Sequence, residues 1–439
     1  MSRLVSLAAA VIFVCTLTTS LAARTWLIKP DGNGDAPTIQ AGVTSAAAGD
    51  TLLLANGTFS GAGNRDVEVY NAQLVIGSES GNPALCIVDC GGSSSEYHQG
   101  FDIRTTGTPT TVLKDITVRN GYSSAVGAIY VGRNTADPVT ATFVDCIFTG
   151  NTSVWAGGAM AVIDGCTADL TGCQFINNSA TSGGALCLYQ GSSATATGCG
   201  FEGNQAQYGG AVDFSYTGTA SGSFTTCAFV GNGATKHGGA IYAEAGSPVL
   251  SVCTFIENSA DWSGGAVYLN GGASMTHCLS IRNRASLVGS SLCCAAAQPI
   301  QITGCTFVAD SLGGAVIQCG PNVSPVLDKT IIGFAKSASA LACDIGAPGT
   351  PTLTCCDIYG NDFGDWTGCI AGQAGTNGNF SADPKFCDIK TANLTVETCS
   401  PCLAANNSCN QDVGALGSGC LCGQAVEPTT WGAIKAIYK

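Results

Sequence analysis

Four charged residues are the main candidates for acid–base chemistry in this chain of 439 residues. Asp102 and Arg104 stand close together, and Asp115 and Arg119 follow shortly after them. Hydrolysis of a glycosidic bond requires paired carboxylates. No carboxylate pair recurs at the spacing of the sequence repeat described below. The pattern therefore favours an exposed ladder of ion pairs over a catalytic groove.

Four aromatic residues are the candidates for ligand binding, because they stand outside the phrases that repeat along the chain: Tyr122, Trp155, Tyr208 and Trp262. Exposed rings can stack on sugars or anchor a partner protein, although single exposed aromatics are also ordinary. The histidines stand in no nucleophile or metal phrase, so we expect structural roles for them and predict no metal site.

A phrase of the form C-x-F-x-x-N, followed by G-G-A, recurs about every 26 residues between Cys146 and Asp310. Cys and Phe lie two positions apart and therefore face the same side of a strand. In a stacked coil both would point inward, so that Phe stacks on Phe and Cys on Cys. The Asn can bond the neighbouring coil and tolerates left-handed geometry, and Gly-Gly permits a tight corner. The repeat thus predicts scaffolding and not catalysis.

These features predict an all-β, single-stranded right-handed parallel β-helix of about 12 or 13 coils, with a helical cap at its start and a Cys-rich cap at its end. The expected division of the chain is as follows: residues 1–23 a signal peptide, 24–60 an N-terminal cap and first strand, 61–378 the coils, 379–424 the C-terminal cap, and 425–439 a tail. That tail is either a sorting tag or a frayed terminus.

The cysteines and the N-terminus indicate export. Arg3, an apolar stretch and small residues ending at Ala23 are typical of a secretion signal. Ten cysteines crowd into Cys343 to Cys422, and these are the expected disulfide formers. The repeat cysteines are expected to be buried thiols, because a column of side chains does not converge on one metal ion. Cys399 and Cys402 form a C-x-x-C phrase that favours a disulfide or a turn.

The composition excludes some classes of partner. A formal net charge of −13 argues against nucleic acid, whose phosphates need a basic face. No segment after the signal has the length and hydropathy of a membrane-spanning helix. We therefore expect a protein that is secreted, extracellular or held at a bacterial cell surface, while its oligomeric state stays open.

The order of a helix, Gly49-Asp50-Thr51, a strand and then Asn56-Gly57-Thr58-Phe59 resembles the opening of pectin-lyase-like β-helix proteins. The G-G-A and F-x-x-N phrases are similar to the repeats of chlamydial polymorphic outer-membrane proteins, which are adhesin-like. The first resemblance implies lyase chemistry with Ca²⁺, or hydrolysis by paired Asp in N-T-D, D-D and G-H-G phrases. None of those three phrases occurs here.

The sequence therefore favours a non-catalytic binding or adhesion protein without a cofactor, whose partner is a polysaccharide or a surface protein. The alternatives are a polysaccharide lyase or hydrolase with a divergent site, which would need Ca²⁺ in the lyase case, and a structural envelope component.

Overall fold

The computed structural model describes residues 23–70, 73–104, 110–133, 137–215, 219–296, 298–308 and 314–423. The predicted signal peptide before Ala23 and the tail 425–439 lie outside these described residues.

Three long parallel sheets run along the molecule, and each coil contributes one strand to each sheet in turn. Sheet A has 13 strands: Thr25–Ile28, Thr51–Leu54, Val75–Ser78, Thr111–Lys114, Thr140–Val144, Thr167–Thr171, Ser193–Thr197, Ser221–Thr225, Ser247–Ser251, Ala273–Thr276, Ile300–Thr303, Val326–Asp328 and Thr352–Thr354. Sheet B has 12 strands: Gly57–Ser60, Cys86–Asp89, Thr117–Arg119, Ile147–Thr149, Gln174–Ile176, Gly200–Glu202, Ala228–Val230, Thr254–Ile256, Leu279–Ile281, Thr306–Val308, Ile331–Gly333 and Asp357–Tyr359.

Sheet C has 11 strands: Val67–Val69, Phe101–Ile103, Ile129–Val131, Met160–Val162, Leu186–Leu188, Val212–Phe214, Ile241–Ala243, Val267–Leu269, Leu292–Cys294, Ile317–Cys319 and Leu341–Cys343. Between sheets B and C the chain forms short strands in two further small sheets: Tyr122–Ser123 with Thr152–Ser153, and Gln205–Tyr208, Gly233–His237, Ser259–Ala260 and Arg284–Ala285. The predicted solenoid and its number of coils are confirmed.

The helical element near the start is a short α-helix, Ile39–Ser45. It begins after Thr38, whose hydroxyl accepts a hydrogen bond from the backbone N–H of Ala41 at 3.2 Å, as a helix N-cap does. Its apolar residues Ile39 and Val43 are buried against the core. The helix therefore covers the first coil, as the sequence predicts.

The C-terminal part closes the other end. It contains the 3₁₀ helices Gly368–Gln373, Ile389–Thr391 and Ala404–Asn406, and a small sheet of Phe386–Asp388, Asn393–Glu397 and Ser418–Cys420. Four disulfides link Cys343–Cys369, Cys355–Cys409, Cys387–Cys420 and Cys399–Cys422. The predicted Cys-rich cap is confirmed, while the C-x-x-C phrase has no disulfide of its own because Cys399 pairs with Cys422 and Cys402 is a buried free thiol.

Sheet B carries an internal stack of phenylalanines. Phe148, Phe175, Phe201, Phe229 and Phe255 are buried, and successive ring centroids lie 4.7 to 5.0 Å apart. Each stacked pair contributes about 0.5–1.5 kcal/mol beyond burial of its area. The repeat cysteines are buried free thiols beside this stack, and the inward orientation predicted for Cys and Phe is confirmed.

A ladder of buried asparagines follows each sheet B strand in the middle coils. The Nδ2 of Asn178 donates to Asn204 Oδ1 at 3.0 Å and to the carbonyl of Phe148 at 2.9 Å. The same bonds recur at Asn204, Asn232 and Asn258. The predicted bonding between coils is thus confirmed.

The left-handed geometry expected for the ladder asparagines lies one residue earlier. Gly150, Asn177 and Gly203 have φ of 63°, 53° and 66°, and each directly precedes a ladder asparagine. The ladder residue itself must keep its amide inside the coil, so the preceding residue makes the left-handed turn.

The two glycines of each G-G-A phrase serve different purposes. Gly183 has a φ of 61°, a conformation that favours glycine. A Cβ on Gly184 would stand 2.2 Å from the carbonyl oxygen of Gly210 in the next coil. The second glycine is therefore required by the close approach of neighbouring coils. Within the described part of the chain, no helix is both long and apolar enough to cross a bilayer.

Candidate functional site

The outward-facing middle residues of the sheet C strands form a continuous row along the molecule. Register pairing places them in this order: Tyr130, Ala161, Cys187, Asp213, Tyr242 and Tyr268. From Ala161 onward, each occupies the fifth position of a phrase that begins Gly-Gly-Ala. One position of the repeat therefore selects the residues of a single surface row.

This row is the floor of a groove, which we call the sheet C groove, with a cavity volume of about 710 Å³. One wall comes from the segment between sheets B and C and includes Trp155, Ala156, Thr181, Ser182 and Tyr208. The other wall follows sheet C and includes Ile163, Tyr189, Gln190, Ser215 and Glu244. The floor from Tyr130 to Tyr242 crosses five strands, which corresponds to roughly 19 Å at the usual strand spacing.

Asp213 lies in the middle of the floor and is only 3% exposed. Its Oδ1 has no hydrogen-bond partner among the described residues. Burial raises the pKa of Asp213 to about 7, the nearby Glu244 raises it further, and the Ser182 hydroxyl opposes the shift. A buried acceptor without a partner costs stability, and such a cost is often retained where a group has a function.

Glu244 supplies a second carboxylate to the same groove. It lies on the coil after Asp213, at the end of the strand Ile241–Ala243, and its backbone N–H bonds the carbonyl of Phe214. The expectation that the coils carry no paired carboxylates is therefore wrong. The pair escapes a search at constant spacing because the two residues occupy different positions in their coils.

A cluster of rings continues the groove beyond Asp213. The ring of His237 lies 4.4 Å from that of Tyr268 and 5.2 Å from that of Trp262. Lys236 donates from Nζ to the Tyr208 hydroxyl at 2.9 Å. Burial, together with Lys236, lowers the pKa of His237, which favours the neutral imidazole in this aromatic setting.

The four predicted ligand-binding aromatics all lie between sheets B and C, but only two line the sheet C groove. Trp155, 68% exposed, and Tyr208 belong to its wall. Trp262 lies beside Lys236 and His237. Tyr122 stacks on Tyr97 with ring centroids 5.8 Å apart.

The four predicted acid–base residues do not form one cluster. Asp102 is on sheet C and receives two hydrogen bonds from Arg104, both at 2.8 Å. The outer side of sheet B carries Arg119, whose Nε bonds Asp89 at 2.9 Å. Asp115 occupies the left-handed corner between sheets A and B, with φ 57°. They are ion pairs and a corner residue on different faces.

One group of potential metal ligands occurs among the described residues, Glu397 with Cys399 and Cys422. Because the two cysteines form a disulfide, this group offers only one carboxylate and does not constitute a metal site.

The family of the chain follows from its repeats. Residues 99–285 and 162–331 match the family described as "Right handed beta helix region", and together these matches span more than half of the chain. The chain belongs to this right-handed β-helix family. The handedness predicted from the sequence agrees with this membership.

Solved structures of other β-helix proteins are similar only at a distance. A Geobacillus virus E2 chain, ORF18, is 12% identical with a TM-score of 0.38, and the match covers 72% of this chain and 56% of the viral one. A rhamnogalacturonan lyase is 11% identical (TM-score 0.36, 76% of this chain, 87% of that one). Pectate lyase Pel9A is 13% identical (TM-score 0.35, 92% of this chain, 98% of that one). No curated protein matches the chain.

Proposed function

We propose that this right-handed β-helix protein is secreted or displayed at a cell surface and binds a polysaccharide lengthwise in the sheet C groove. The observation that carries the proposal is the aromatic lining of one long groove. Tyr130, Trp155, Tyr208 and Tyr242 present rings to it, and aromatic faces stack on sugar rings. A groove parallel to the rod suits an extended chain better than a compact ligand.

The proposed location outside the cell is supported by the four disulfides of the cap, because disulfides persist mainly in oxidising compartments. The adhesin-like role implied by the resemblance to chlamydial surface proteins stays a prediction. Fractionation of the source cells, with the cap disulfides assayed in the exported material, tests the location.

Binding is tested by calorimetry with a panel of oligosaccharides on the purified chain. Trp155→Ala should weaken binding about tenfold or more, because a ring at a binding surface often contributes over 1 kcal/mol. Phe363→Ala is the matched control, since Phe363 is 67% exposed, as Trp155 is 68%, but does not line the groove. Equal effects of both substitutions would contradict the proposal.

A second candidate function, hydrolysis of the bound chain, is favoured by the paired carboxylates. Asp213, protonated, would donate its proton to the glycosidic oxygen as the bond from that oxygen to the anomeric carbon breaks. Glu244 would take a proton from the water whose oxygen bonds that carbon. Release of new reducing ends, abolished by Asp213→Asn and by Glu244→Gln, would establish hydrolysis. Binding without such release would leave the protein a glycan-binding module.

A further inference from the structure

The charge of the sheet C groove is one-sided. Its described lining residues include the carboxyl groups of Asp213 and Glu244 and no lysine, arginine or histidine. A bound uronate chain would therefore bring its carboxylates towards groups of the same charge, which disfavours binding. This argues against acidic polysaccharides as ligands.

The nearest cations at the two ends of the groove are already engaged. Arg104 lies over the ring of Tyr130 at 4.8 Å, and both oxygens of Asp102 bond it. Lys236 donates to the Tyr208 hydroxyl and lies 5.6 Å from the Trp262 ring centroid. Neither cation offsets the carboxyl groups in the middle of the floor.

Asp213 also lacks a donor that a ligand could supply. Its side chain is 3% exposed, lines the groove, and leaves Oδ1 without a hydrogen-bond partner among the described residues. It sits between Cys187 and Tyr242 on the adjacent strands. An N–H donor with a positive charge would satisfy both the acceptor and the charge.

The rings around Asp213 favour the same kind of group. Tyr242 is its register partner, and Tyr208 lies 5.0 Å from Tyr242 between ring centroids. Aromatic faces attract ammonium groups through their quadrupole. The groove therefore combines carboxyl groups and rings, as sites for organic cations do.

We propose that the sheet C groove binds a glycan whose sugar units carry free, protonated amino groups, with Asp213 and Glu244 receiving the ammonium groups. This proposal rests on the proposed function, because it names the class of polysaccharide that the groove takes. Sugar rings would lie against the aromatic walls while the amino groups point to the floor.

The test uses calorimetry on the full chain with four oligomers of equal length: glucosamine, N-acetylglucosamine, glucose and galacturonic acid. The amino oligomer should bind at least about tenfold more tightly than its N-acetyl counterpart, which has the same ring but no charge. The galacturonate oligomer should bind most weakly.

Asp213→Asn and Glu244→Gln should each remove most of the preference for the amino oligomer. Asp169→Asn, in the sheet A strand Thr167–Thr171, is the matched control and should leave it unchanged. If Asp213→Asn fails to fold, Glu244→Gln and the comparison of ligands on the unaltered chain still decide.

The outcomes separate the two proposals. Equal or tighter binding of the N-acetyl, glucose or galacturonate oligomer would overturn the amino-glycan inference and leave glycan binding intact. Binding of none of the four would count against both. Preference for the amino oligomer that survives Asp213→Asn and Glu244→Gln would overturn the assignment of these residues.

Discussion

Asp213 and Tyr242 are register partners on adjacent strands of sheet C, and both side chains line the same groove. A carboxyl group is thereby held beside an aromatic ring in the middle of a scaffold whose remaining repeats are built for stacking. This pairing is the basis of the predictions on ligand binding and pH.

Binding of an amino-glycan oligomer should strengthen as the pH rises towards neutrality. The pKa of Asp213 in the free protein is raised to about 7 by burial, so a cation must displace its proton at lower pH. Affinity should fall up to about tenfold per pH unit below 7. The groups that face Asp213 are Cys187 and Tyr242 on the flanking strands, with Ser182 and Glu244 in the walls.

Calorimetry between pH 5 and 7 measures this dependence. The Asp213→Asn variant should show a much flatter profile, because it has no proton to lose at that position. An unchanged profile in this variant would assign the dependence to another group.

The stability of the ligand-free protein should depend on pH with the opposite sign. The pKa of Asp213 rises from its ordinary value of 3.8 to about 7 on burial, so the folded chain keeps a proton that the unfolded chain loses. Its contribution is complete below pH 3.8 and is lost as the pH rises to about 7, at about 1.4 kcal/mol per pH unit.

Buried Asp357, whose pKa is also raised to about 7 by burial, acts in the same sense. Chemical denaturation of the unaltered chain, Asp213→Asn and Asp357→Asn between pH 4 and 8 measures both terms. Each substitution should flatten the fall in the free energy of unfolding, and identical slopes in all three proteins would refute the prediction.

Removal of one ladder asparagine should destabilise the coils strongly. In Asn204→Ala, Asn178 loses the acceptor of its N–H and Nδ2 bonds, and the carbonyl of Phe175 loses its donor. Buried polar groups left unpaired cost about 1–3 kcal/mol each, so we expect a loss of at least about 3 kcal/mol in thermal or denaturant unfolding. Exposed Gln207, changed to Ala, is the control and should stay within about 0.5 kcal/mol.

Truncation of the phenylalanine stack should have a similar effect through packing. Phe201→Ala removes a ring that lies 4.8 Å from Phe175 and 4.7 Å from Phe229 between centroids. The cavity and the lost stacking should cost about 3–5 kcal/mol, while Phe201→Leu should cost less. Near-equal losses from the two substitutions would show that the neighbouring coils collapse around the site.

The cysteines of the coils and of the cap should differ in reactivity. Among the described residues 16 cysteines are buried free thiols and 8 form disulfides. Burial raises the pKa of Cys356 to about 12, which suppresses the reactive thiolate. Alkylation of the folded chain should therefore label almost none of these cysteines, whereas denaturation without reductant should expose the 16 thiols. Extensive labelling of the folded chain would contradict the buried column.

Much of the architecture could be predicted from the repeat alone. Cys146 and Phe148 stand two positions apart and point inward together, since side chains alternate along a strand. The ladder asparagines were also predictable, because each follows its strand at one fixed position. The site of left-handed geometry was not, because either of two consecutive residues in Gly150-Asn151 could have made the turn.

The sequence by itself determined the β-helix, the inward stack, the cap cysteines and two of the groove aromatics, Trp155 and Tyr208, because a repeat imposes the same environment on every coil. Only the tertiary structure decided that Asp213 and Glu244 share one groove. Their meeting depends on how neighbouring coils stack and on the wall that buries Asp213. The same stacking separates Asp102 from Arg119, because it sends neighbouring strands of the chain to different faces of the rod.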